Sequence, residues 1–458
     1  MYDSLRVKLR VPIFILGFLL CSSGAFPDGE TPGSRASLSL EESIRIAFKN
    51  NKDIQIQEQE ILAAKAGILG ARSEFLPKVN ANAGYSHTGT VLKIAPQPGA
   101  KKDPGIFIGF ENRNNLGLEL NQNLYNGGGN TAGLHQAELK FRIQETSLRS
   151  RKLDTEFEAK RLYYGLLLAY ESERIARDLL EQAKSHYEEV QQKYNNGTAS
   201  RFDLLQSKVQ VSKLTPELIK ATNAVSLIGA DFKKLLGFKM QENVSLKDTL
   251  HYNPIQVEEN EFLKTAYSNN PEVMLLALGV DVGKWSIDKA KAADRPQVNV
   301  GLGYDYTSND VGDMFNSWHD NWNAGISVSV PIFDGYSSKA KVDEAKARYA
   351  QAILQKDNFS DQIAVDIKRA CLDLQKAQAI IDSQKDSVEE SKEALKISEV
   401  SYANGEGTNL DVLDSQVSLS QIEKNLSEGV YDYLMAQAFL DRTRGMNWLK
   451  EEGNEKKN

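Results

Sequence analysis

Three aspartates, Asp203, Asp411 and Asp414, are the side chains whose types and spacing could do chemistry. Asp203 and Asp411 occupy the same place in two copies of one motif, because segment 194–205 recurs as segment 402–413, 208 positions later. Asp414 follows Asp411 by three residues, a spacing that puts both carboxylates on one face of a helix. Such carboxylates could attract cations along a passage or act as an acid/base pair. The acid/base pair requires a substrate pocket, and the sequence indicates none.

Helix initiation gives two of these aspartates a structural role. Ser200 and Thr408 each precede a motif aspartate by three residues, as in a capping box that opens a helix. A carboxylate there stabilises the helix by about 0.3 to 1 kcal/mol. Asp414 has no such role, and its counterpart in the first copy is Gln206. We therefore expect Asp414, more than Asp411, to line a passage.

Long helices must position the motif. Gly197 and Gly405 fit the left-handed residue that ends a helix, so each motif is predicted to be the tip of a helical hairpin. A helix over about 130–194 would be ~97 Å long at a rise of 1.5 Å per residue. The returning helices are predicted over 204–236 and 412–444. Helices of this length must project well beyond any membrane.

The second of these long arms carries a coiled-coil seam, in which positions step by four and three without a slip. The seam residues are Ile363, Ile367, Ala370, Leu374, Ala377, Ile381, Gln384, Val388, Ser391, Leu395, Ser398 and Tyr402. The first arm has a similar series with gaps: Leu153, Phe157, Tyr164, Leu168, Ile175, Leu179, Ala183, Tyr187, Val190 and Tyr194. The polar seam positions lie toward the tip, where they should weaken packing. Weak packing suits a part that moves, and fixing the helix register explains it equally well.

Four segments alternate with the period of a β-strand, near 79–89, 114–122, 297–307 and 322–331. One face of each segment is apolar, and the other is small or polar. Segments of about ten residues with this pattern fit a membrane barrel that is apolar toward lipid and polar toward a lumen. A soluble sandwich would alternate in the same way, but no further strand-rich sequence exists to cover its apolar face.

Four strands cannot close a barrel, so other copies of the chain must supply the rest. An open sheet edge in lipid leaves unpaired backbone groups, each of which costs several kcal/mol. Two copies would give 8 strands and a barrel filled by its own side chains, whereas three would give 12 strands and a lumen. The strand pattern alone leaves both possibilities open.

The first residues of the chain are predicted to be an export signal over 1–25. Basic residues precede an apolar run over 11–20, and small residues follow it up to Ala25. A lipid-modified Cys21 is the alternative. Leu20 is bulky where a lipoprotein signal has a small residue, which favours cleavage after Ala25.

Composition excludes several classes of partner. The formal net charge is -7 and the pI is near 5.5, which gives no basic footprint for nucleic acid. After cleavage Cys371 would be the only cysteine, so no intramolecular disulfide is expected. The histidines lack metal-ligand spacing, and no cofactor or metal is predicted. Past the signal the sequence contains no run of 18 apolar residues, so no membrane-spanning helix is predicted.

Matched sequence features occur at corresponding places in the two halves. They are the hairpin tips, the strand-to-helix elbows Leu124-Tyr-Asn-Gly-Gly128 and Pro331-Ile-Phe-Asp-Gly335, and the openings Ala47-Phe-Lys-Asn-Asn51 and Ala266-Tyr-Ser-Asn-Asn270. In order and spacing these features resemble the TolC-like outer-membrane efflux protein family. The resemblance implies an α+β membrane protein, a homotrimer whose 12-stranded β-barrel in outer-membrane lipid continues into a coiled-coil helical tunnel through the periplasm. It also implies a periplasmic adaptor, an inner-membrane transporter reached through that adaptor, and no enzymatic activity.

The resemblance assigns roles at the tip. Asp411 and Asp414 match two acidic positions that line the narrow periplasmic entrance, and Asp203 and Tyr402 match partners in the network that holds it shut. The family often has an arginine where this chain has Gly407. Arg201, in the first copy of the motif, is a candidate substitute.

The hairpin tips are also predicted to dock the adaptor, because small residues there would let an adaptor hairpin approach closely. The predicted docking residues are Gly197, Thr198, Ala199, Leu205, Gly405, Glu406, Gly407 and Leu413.

The remaining sequence divides around the two repeats. The first repeat is predicted over 26–237 and the second over 261–444. By resemblance the inter-repeat segment 238–260 and the charged tail 445–458 would form a belt around the middle of the tunnel.

A second class of protein shares the exported chain and the long hairpins. A periplasmic coiled-coil adaptor or scaffold would need no lipid-facing strands, so detergent-dependent solubility separates it from a channel. The sequence does not indicate which cargo a channel would carry, because cargo choice would lie mainly in the pump.

Overall fold

The structure, a computed structural model, describes residues 36–89, 92–94, 106–108, 112–308 and 319–446. The signal peptide, Cys21, most of the loops that close the two strand hairpins, and the tail from 447 onward lie outside the described residues. What the sequence predicts for them stays a prediction.

The described chain forms eight α-helices and eight strands. The helices are α1 Leu40–Asn50, α2 Lys52–Ser73, α3 Gly129–Asn195, α4 Arg201–Leu236, α5 Glu259–Asn269, α6 Pro271–Lys291, α7 Ser337–Asn404 and α8 Asn409–Arg444. The strands are β1 Ala36–Leu38, β2 Lys78–His87, β3 Leu92–Ile94, β4 Ile106–Ile108, β5 Asn112–Asn126, β6 Val244–Leu246, β7 Gln297–Ser308 and β8 His319–Ser329. None of the described helices holds a stretch long and apolar enough to cross a membrane.

The four strands predicted from alternation form one antiparallel sheet in the order β2-β5-β7-β8. β5 runs to Asn126, past the predicted end at 122, because the pairing shifts between Asn123 and Tyr125 and then continues. Such a bulge interrupts the period of two, so alternation alone could not follow the strand through it. The sheet is open, with β2 and β8 at its edges.

The two faces of this sheet differ in chemistry. One face exposes large apolar side chains, among them Leu118, Tyr304 and Ile326, of which Ile326 is 72% exposed. The opposite face carries asparagine, glycine, serine and the acids Glu119 and Asp305. In a soluble protein an apolar face of this extent would be buried, so the sheet is suited to lipid on one side and water on the other.

The long arms fold as hairpins, α3 with α4 and α7 with α8, close to the predicted bounds. Both returning helices begin at a capping box, Ser200 with Asp203 and Thr408 with Asp411. Gly197 and Gly405 adopt φ of 76° and 81°, the left-handed conformation predicted for the turn at each tip.

The coiled-coil prediction holds well for α7 and less well for α3. All nine apolar residues of the α7 seam are buried, and its three polar positions are half-buried. On α3, Leu153 and Val190 are buried, but Tyr194 is exposed. Burial on α3 extends to a second face around Tyr163, because this helix packs against α1 and α4 as well as α6 and α8.

The inter-repeat segment lies against the helices. β6 pairs in parallel with β1, and the hydroxyl of Tyr163 on α3 donates to the Asp248 carboxylate of the segment at 2.6 Å. Farther along, Tyr252 lies 4.8 Å from the Tyr433 ring, and the Tyr433 hydroxyl accepts from the Ile255 backbone at 2.8 Å. These contacts fix the segment to α3 and α8. Three-residue strands such as β1 and β6 are too short to produce a periodic signal, which is why the sequence did not predict them.

Candidate functional site

The tips of the two hairpins meet in one small cluster. Val190 of α3, Tyr402 of α7 and Val412 of α8 are buried together, with Ala199 and Leu204 packed beside them. The cluster joins the two halves of the chain at the end farthest from the sheet. The site predicted from the motif is therefore a contact between hairpins as well as a pair of turns.

Asn409, the first residue of α8, is the centre of a buried hydrogen-bond network. Its side-chain oxygen lies 2.7 Å from His186 Nε2 and 3.0 Å from Ser207 Oγ. Its amide nitrogen donates to Gln206 Oε1 at 3.0 Å. Asn409 is only 2% exposed, so these contacts satisfy polar groups that cannot reach water. The network ties α8 to both helices of the first hairpin.

Neither Asn409 nor His186 was predicted from the sequence as a site residue. A signal for His186 existed, because it lies three residues after Ala183 and four before Val190, on the buried stripe of α3. No local signal identified Asn409, since the residue after a helix cap is ordinarily exposed and its partners come from a distant part of the chain.

Tyr402 is held by Lys193 rather than by an aspartate. Lys193 Nζ donates to the Tyr402 carbonyl oxygen at 3.0 Å and lies 4.0 Å from the centre of its ring. The Tyr402 hydroxyl is buried and has no hydrogen-bond partner among the described residues. Burial raises the pKa of this phenol, and the charges of Asp203 and Glu189 raise it further. The side chain therefore stays neutral.

Asp203 and Asp411 serve their own helices in the described chain. The Asp203 carboxylate accepts from the Ser200 backbone at 3.2 Å and from its hydroxyl at 2.6 Å. Asp411 accepts in the same way from Thr408, at 2.8 and 2.7 Å. These hydrogen bonds lower the pKa of Asp411 and keep it ionised. The capping role of both aspartates is confirmed. Neither carboxylate hydrogen-bonds the Tyr402 hydroxyl, which has no partner among the described residues, and a role of Asp203 and Tyr402 in closing the entrance stays a prediction.

Asp414 is exposed and has no hydrogen-bond or ion-pair partner among the described residues. Its neighbours Val412 and Leu413 are buried, so the helix turns Asp411 and Asp414 outward together. The predicted shared face is thus present, and Asp414 is the carboxylate on it that no cap occupies.

Gly407, at the position where the family often has an arginine, is closely packed. A Cβ added to Gly407 would lie 3.1 Å from Ser401 Cβ and 3.2 Å from the Tyr402 nitrogen. The Gly407 backbone also donates to the Ser401 carbonyl oxygen at 3.1 Å. The turn therefore folds tightly onto the end of α7, and a Cβ at this position would require its neighbours to shift by a few tenths of an ångström. Arg201 is exposed at the start of α4.

The predicted docking residues divide into exposed and buried groups. Gly197, Thr198, Gly405 and Glu406 are exposed at the two turns, as is Leu205 on α4. Gly407 and Ala199 are half-buried, Ala199 against the tip cluster. Leu413 is only 5% exposed in the single chain, so its side chain offers little surface to a docking partner. Its role in docking stays a prediction.

The fold defines a class of protein: a four-stranded sheet with an apolar outer face continues into two long helical hairpins. Residues 44–237 and 262–445 match the family model described as outer membrane efflux protein. The chain belongs to that family, as its resemblance to TolC-like proteins predicted. The two matched stretches coincide with the two halves of the duplication.

Individual relatives are distant but similar over most of their length. The chain is 22% identical to a probable outer membrane lipoprotein, SilC of Salmonella typhimurium, over 88% of this chain and 85% of that protein. It is also 22% identical to the alkaline protease secretion protein AprF of Pseudomonas aeruginosa, over 67% of this chain and 64% of that one. The crystal structure of the Campylobacter jejuni CmeC outer membrane channel superposes with a TM-score of 0.77 at 18% identity, covering 91% of this chain and 89% of CmeC.

These relationships locate the protein in the outer membrane and make it a channel protein. The alternative of a periplasmic adaptor or scaffold is not supported, since the family and its relatives are channels and exit proteins.

Proposed function

We propose that three copies of this chain form an outer-membrane exit duct of a tripartite efflux or type I secretion system. The observation that carries this proposal is the open four-stranded sheet, whose edge strands β2 and β8 are exposed along their whole length. Edges of this kind cannot remain open in lipid, because their backbone groups would be unpaired. Three copies supply 12 strands, enough for a barrel with a lumen.

The helical hairpins extend this lumen into the periplasm. α3 spans 67 residues and α7 spans 68, which corresponds to about 100 Å at 1.5 Å per residue. Cargo would enter at the tips and leave through the barrel without a chemical step. The duct would act as a conduit and not as an enzyme.

The periplasmic entrance would be lined by Asp411 and Asp414. Three copies place six carboxylates of this kind around one axis, which attracts cations and repels anions. Asp203 and Tyr402 belong to the tip that closes this entrance: Asp203 stabilises the start of α4, and Tyr402 lies in the cluster between the hairpins. Asp414 is the strongest candidate for a pore residue because it is exposed and no contact within the described chain occupies its carboxylate.

The turns at the hairpin tips would dock a periplasmic adaptor that connects the duct to an inner-membrane transporter. Gly197, Thr198, Gly405, Glu406 and Gly407 form these turns. The three glycines and Thr198 leave the backbone open to close approach by an adaptor hairpin.

Bulk at the two turns should abolish docking. We expect Gly197→Trp with Gly405→Trp to reduce adaptor recovery by about tenfold when the full-length protein is cross-linked in cells and purified. Both glycines have positive φ, so any replacement adds backbone strain of roughly 1–2 kcal/mol. The matched control is Gly197→Ala with Gly405→Ala, which introduces the same strain with little bulk.

The alanine pair should keep most of the adaptor recovery and of the export. Adaptor recovery from the tryptophan pair as high as from the original protein would show that the tips do not dock. An alanine pair that loses the adaptor as fully as the tryptophan pair would assign the effect to backbone strain instead.

A further inference from the structure

We infer that the contact between two copies repeats the contact between the two halves of one chain. β8 then pairs with β2 of the next copy, Gly325 opposite Ser86, and Arg201 of the next copy faces Asp414 at the tip. This inference rests on the proposed closed barrel and specifies how its copies meet.

The duplication is conserved in three dimensions. Helices α3 and α4 correspond to α7 and α8 at an offset of 208 residues, and α1 corresponds to α5 at an offset of 219. The left-handed residues obey the same offset of 208, including Gly127 with Gly335 and Gly237 with Gly445. Each half is therefore one structural unit, and a trimer is a ring of six such units.

Strand pairing within each half confirms the two offsets. β2 pairs with β5 at Lys78 and Asn121, and adding 219 and 208 gives Gln297 and Ser329, which are paired in β7 and β8. The other end of the ladder agrees, since His87 with Asn112 becomes Tyr306 with Asp320. The register of one hairpin thus gives the register of the other.

The same offsets convert each residue pair between the two halves into the corresponding pair between two copies. Gly117 of β5 pairs with Asp305 of β7, and the corresponding pair is Gly325 of β8 with Ser86 of the next copy. The chemistry of the two faces is preserved, because the adjacent pair Leu118 and Tyr304 becomes Ile326 and Tyr85 of the next copy. A one-residue slip would instead place apolar side chains in the lumen.

Unfilled space in the single chain lies where the next copy should be. A Cβ on Gly127 would lie 2.4 Å from the carbonyl oxygen of Ala292, whereas its counterpart Gly335 has nothing within 4 Å among the described residues. The offset puts Ser73 of the next copy beside Gly335.

The helices have the same asymmetry. α6 packs against both α3 and α7, whereas α2 packs against α3. The offsets place α2 and α4 of the next copy on α7. Leu205 of α4 is 51% exposed although its counterpart Leu413 is 5% exposed. We therefore assign Leu205 to the interface between copies and not to the adaptor.

At the tip the same operation brings opposite charges together. Within one chain Asn409 donates to Gln206 at 3.0 Å. Under the offset of 208, Asn409 corresponds to Arg201 of the next copy, and Gln206 corresponds to Asp414. The gain in side-chain length from asparagine to arginine exceeds the loss from glutamine to aspartate. The pair of Arg201 and Asp414 can therefore span the same gap. A neutral hydrogen bond within the chain is thereby replaced by an ion pair between chains.

This ion pair would hold the entrance closed between copies. The in-chain network is only partly repeated there, because the counterpart of His186 is Ala394, whereas the counterpart of Ser207 is Ser415. Arg201 would thus help to close the entrance, the role that the family resemblance implies for an arginine at position 407, where this chain has glycine. When the copies separate at the tip, Asp414 is released to line the passage.

Cysteine pairs test the strand register in the full-length protein. Under mild oxidation Ser86→Cys with Gly325→Cys should cross-link the copies into covalent dimers and trimers. The cross-linking should be about tenfold faster than for two control pairs whose register is shifted by two residues, called slip pairs. The two slip pairs are Ser86→Cys with Asn323→Cys and Ser86→Cys with Ser327→Cys. Their cysteines lie on the same face of the sheet but farther apart than those at positions 86 and 325. The register would be overturned if a slip pair cross-linked the copies faster than Ser86→Cys with Gly325→Cys. It would also be overturned if the complex had the mass of three chains and no cysteine pair cross-linked it. A complex without that mass would contradict the trimer itself.

Charge reversal tests the tip pair through the conductance of the purified protein in planar bilayers. Arg201→Asp and Asp414→Arg each place like charges opposite one another, and each should raise the time-averaged conductance by about tenfold. The double variant restores opposite charges and should return conductance to within about twofold of the original. Conductance of the double variant as high as that of either single would overturn the pairing. Arg201→Cys with Asp414→Cys gives a second measurement: it should cross-link between chains, whereas Gln206→Cys with Asn409→Cys should cross-link within one chain.

Discussion

Replacing Asn409 with leucine should open the periplasmic entrance and raise the baseline conductance of the channel by about tenfold. The change removes all three hydrogen bonds of the Asn409 side chain and leaves His186 and Gln206 without their partner, whereas Ser207 keeps its hydrogen bond to the Asp203 carbonyl oxygen. Each buried polar group left unpaired costs about 1–3 kcal/mol, so the closed contact between α8 and the first hairpin is weakened. Single-channel recording from the purified protein measures the effect.

The control for this variant is Asp203→Asn. Resemblance alone predicts that Asp203 closes the entrance, but its carboxylate is bound to Ser200 of its own helix. Asparagine retains an acceptor for the same contact, so conductance should remain close to that of the original protein. If Asp203→Asn opens the channel as far as Asn409→Leu does, the closing network runs through Asp203 instead.

Replacing Gly445 with alanine should destabilise the folded protein far more than the same change at Gly237. Both residues end a returning helix with φ near 70° and correspond under the duplication. A Cβ on Gly445 would lie 2.5 Å from the Asn269 carbonyl oxygen, which is backbone, whereas on Gly237 the nearest atom is Asn50 Cβ at 3.0 Å. Both variants carry backbone strain of about 1–2 kcal/mol, and Gly445→Ala adds overpacking of about 1–3 kcal/mol.

The temperature at which the extracted protein unfolds gives the comparison. The Gly237 variant calibrates the strain, and the difference between the two variants isolates the collision with Asn269. Equal losses at the two positions would mean that the chain near Gly445 shifts freely to make room.

Periodic features of this protein could be read from the sequence because they arise from local repetition. The seam of α7 follows from steps of three and four, and the sheet follows from alternation in four segments. Each capping box depends on two residues three positions apart, such as Ser200 and Asp203. Contacts of this range are encoded within a few turns of one element, so the fold class was predictable.

The features that the sequence did not predict depend on distant parts of the chain. Asn409 is buried because α3 and α4 cover it, and Leu413 is buried for a similar reason of tertiary packing. α3 carries more buried faces than one seam because five other helices lie against it. Local spacing contains no information on such neighbours.

The role of Arg201 shows how the two kinds of information combine. From the sequence it was only a candidate for a missing arginine, and in the single chain it is exposed. The Asn409 and Gln206 contact supplies the geometry, and the duplication transfers that geometry to Arg201 and Asp414.

The mass of the detergent-extracted complex is the most direct measurement of whether this chain builds a closed outer-membrane duct. Native mass spectrometry should give three chain masses, each at or below the 51.0 kDa of the full sequence according to how much of the signal is removed. Four strands per chain then make a barrel of 12. A stable complex of one or two chains would contradict the proposed duct, because it would leave the edges of β2 and β8 open or close a barrel too narrow for a lumen.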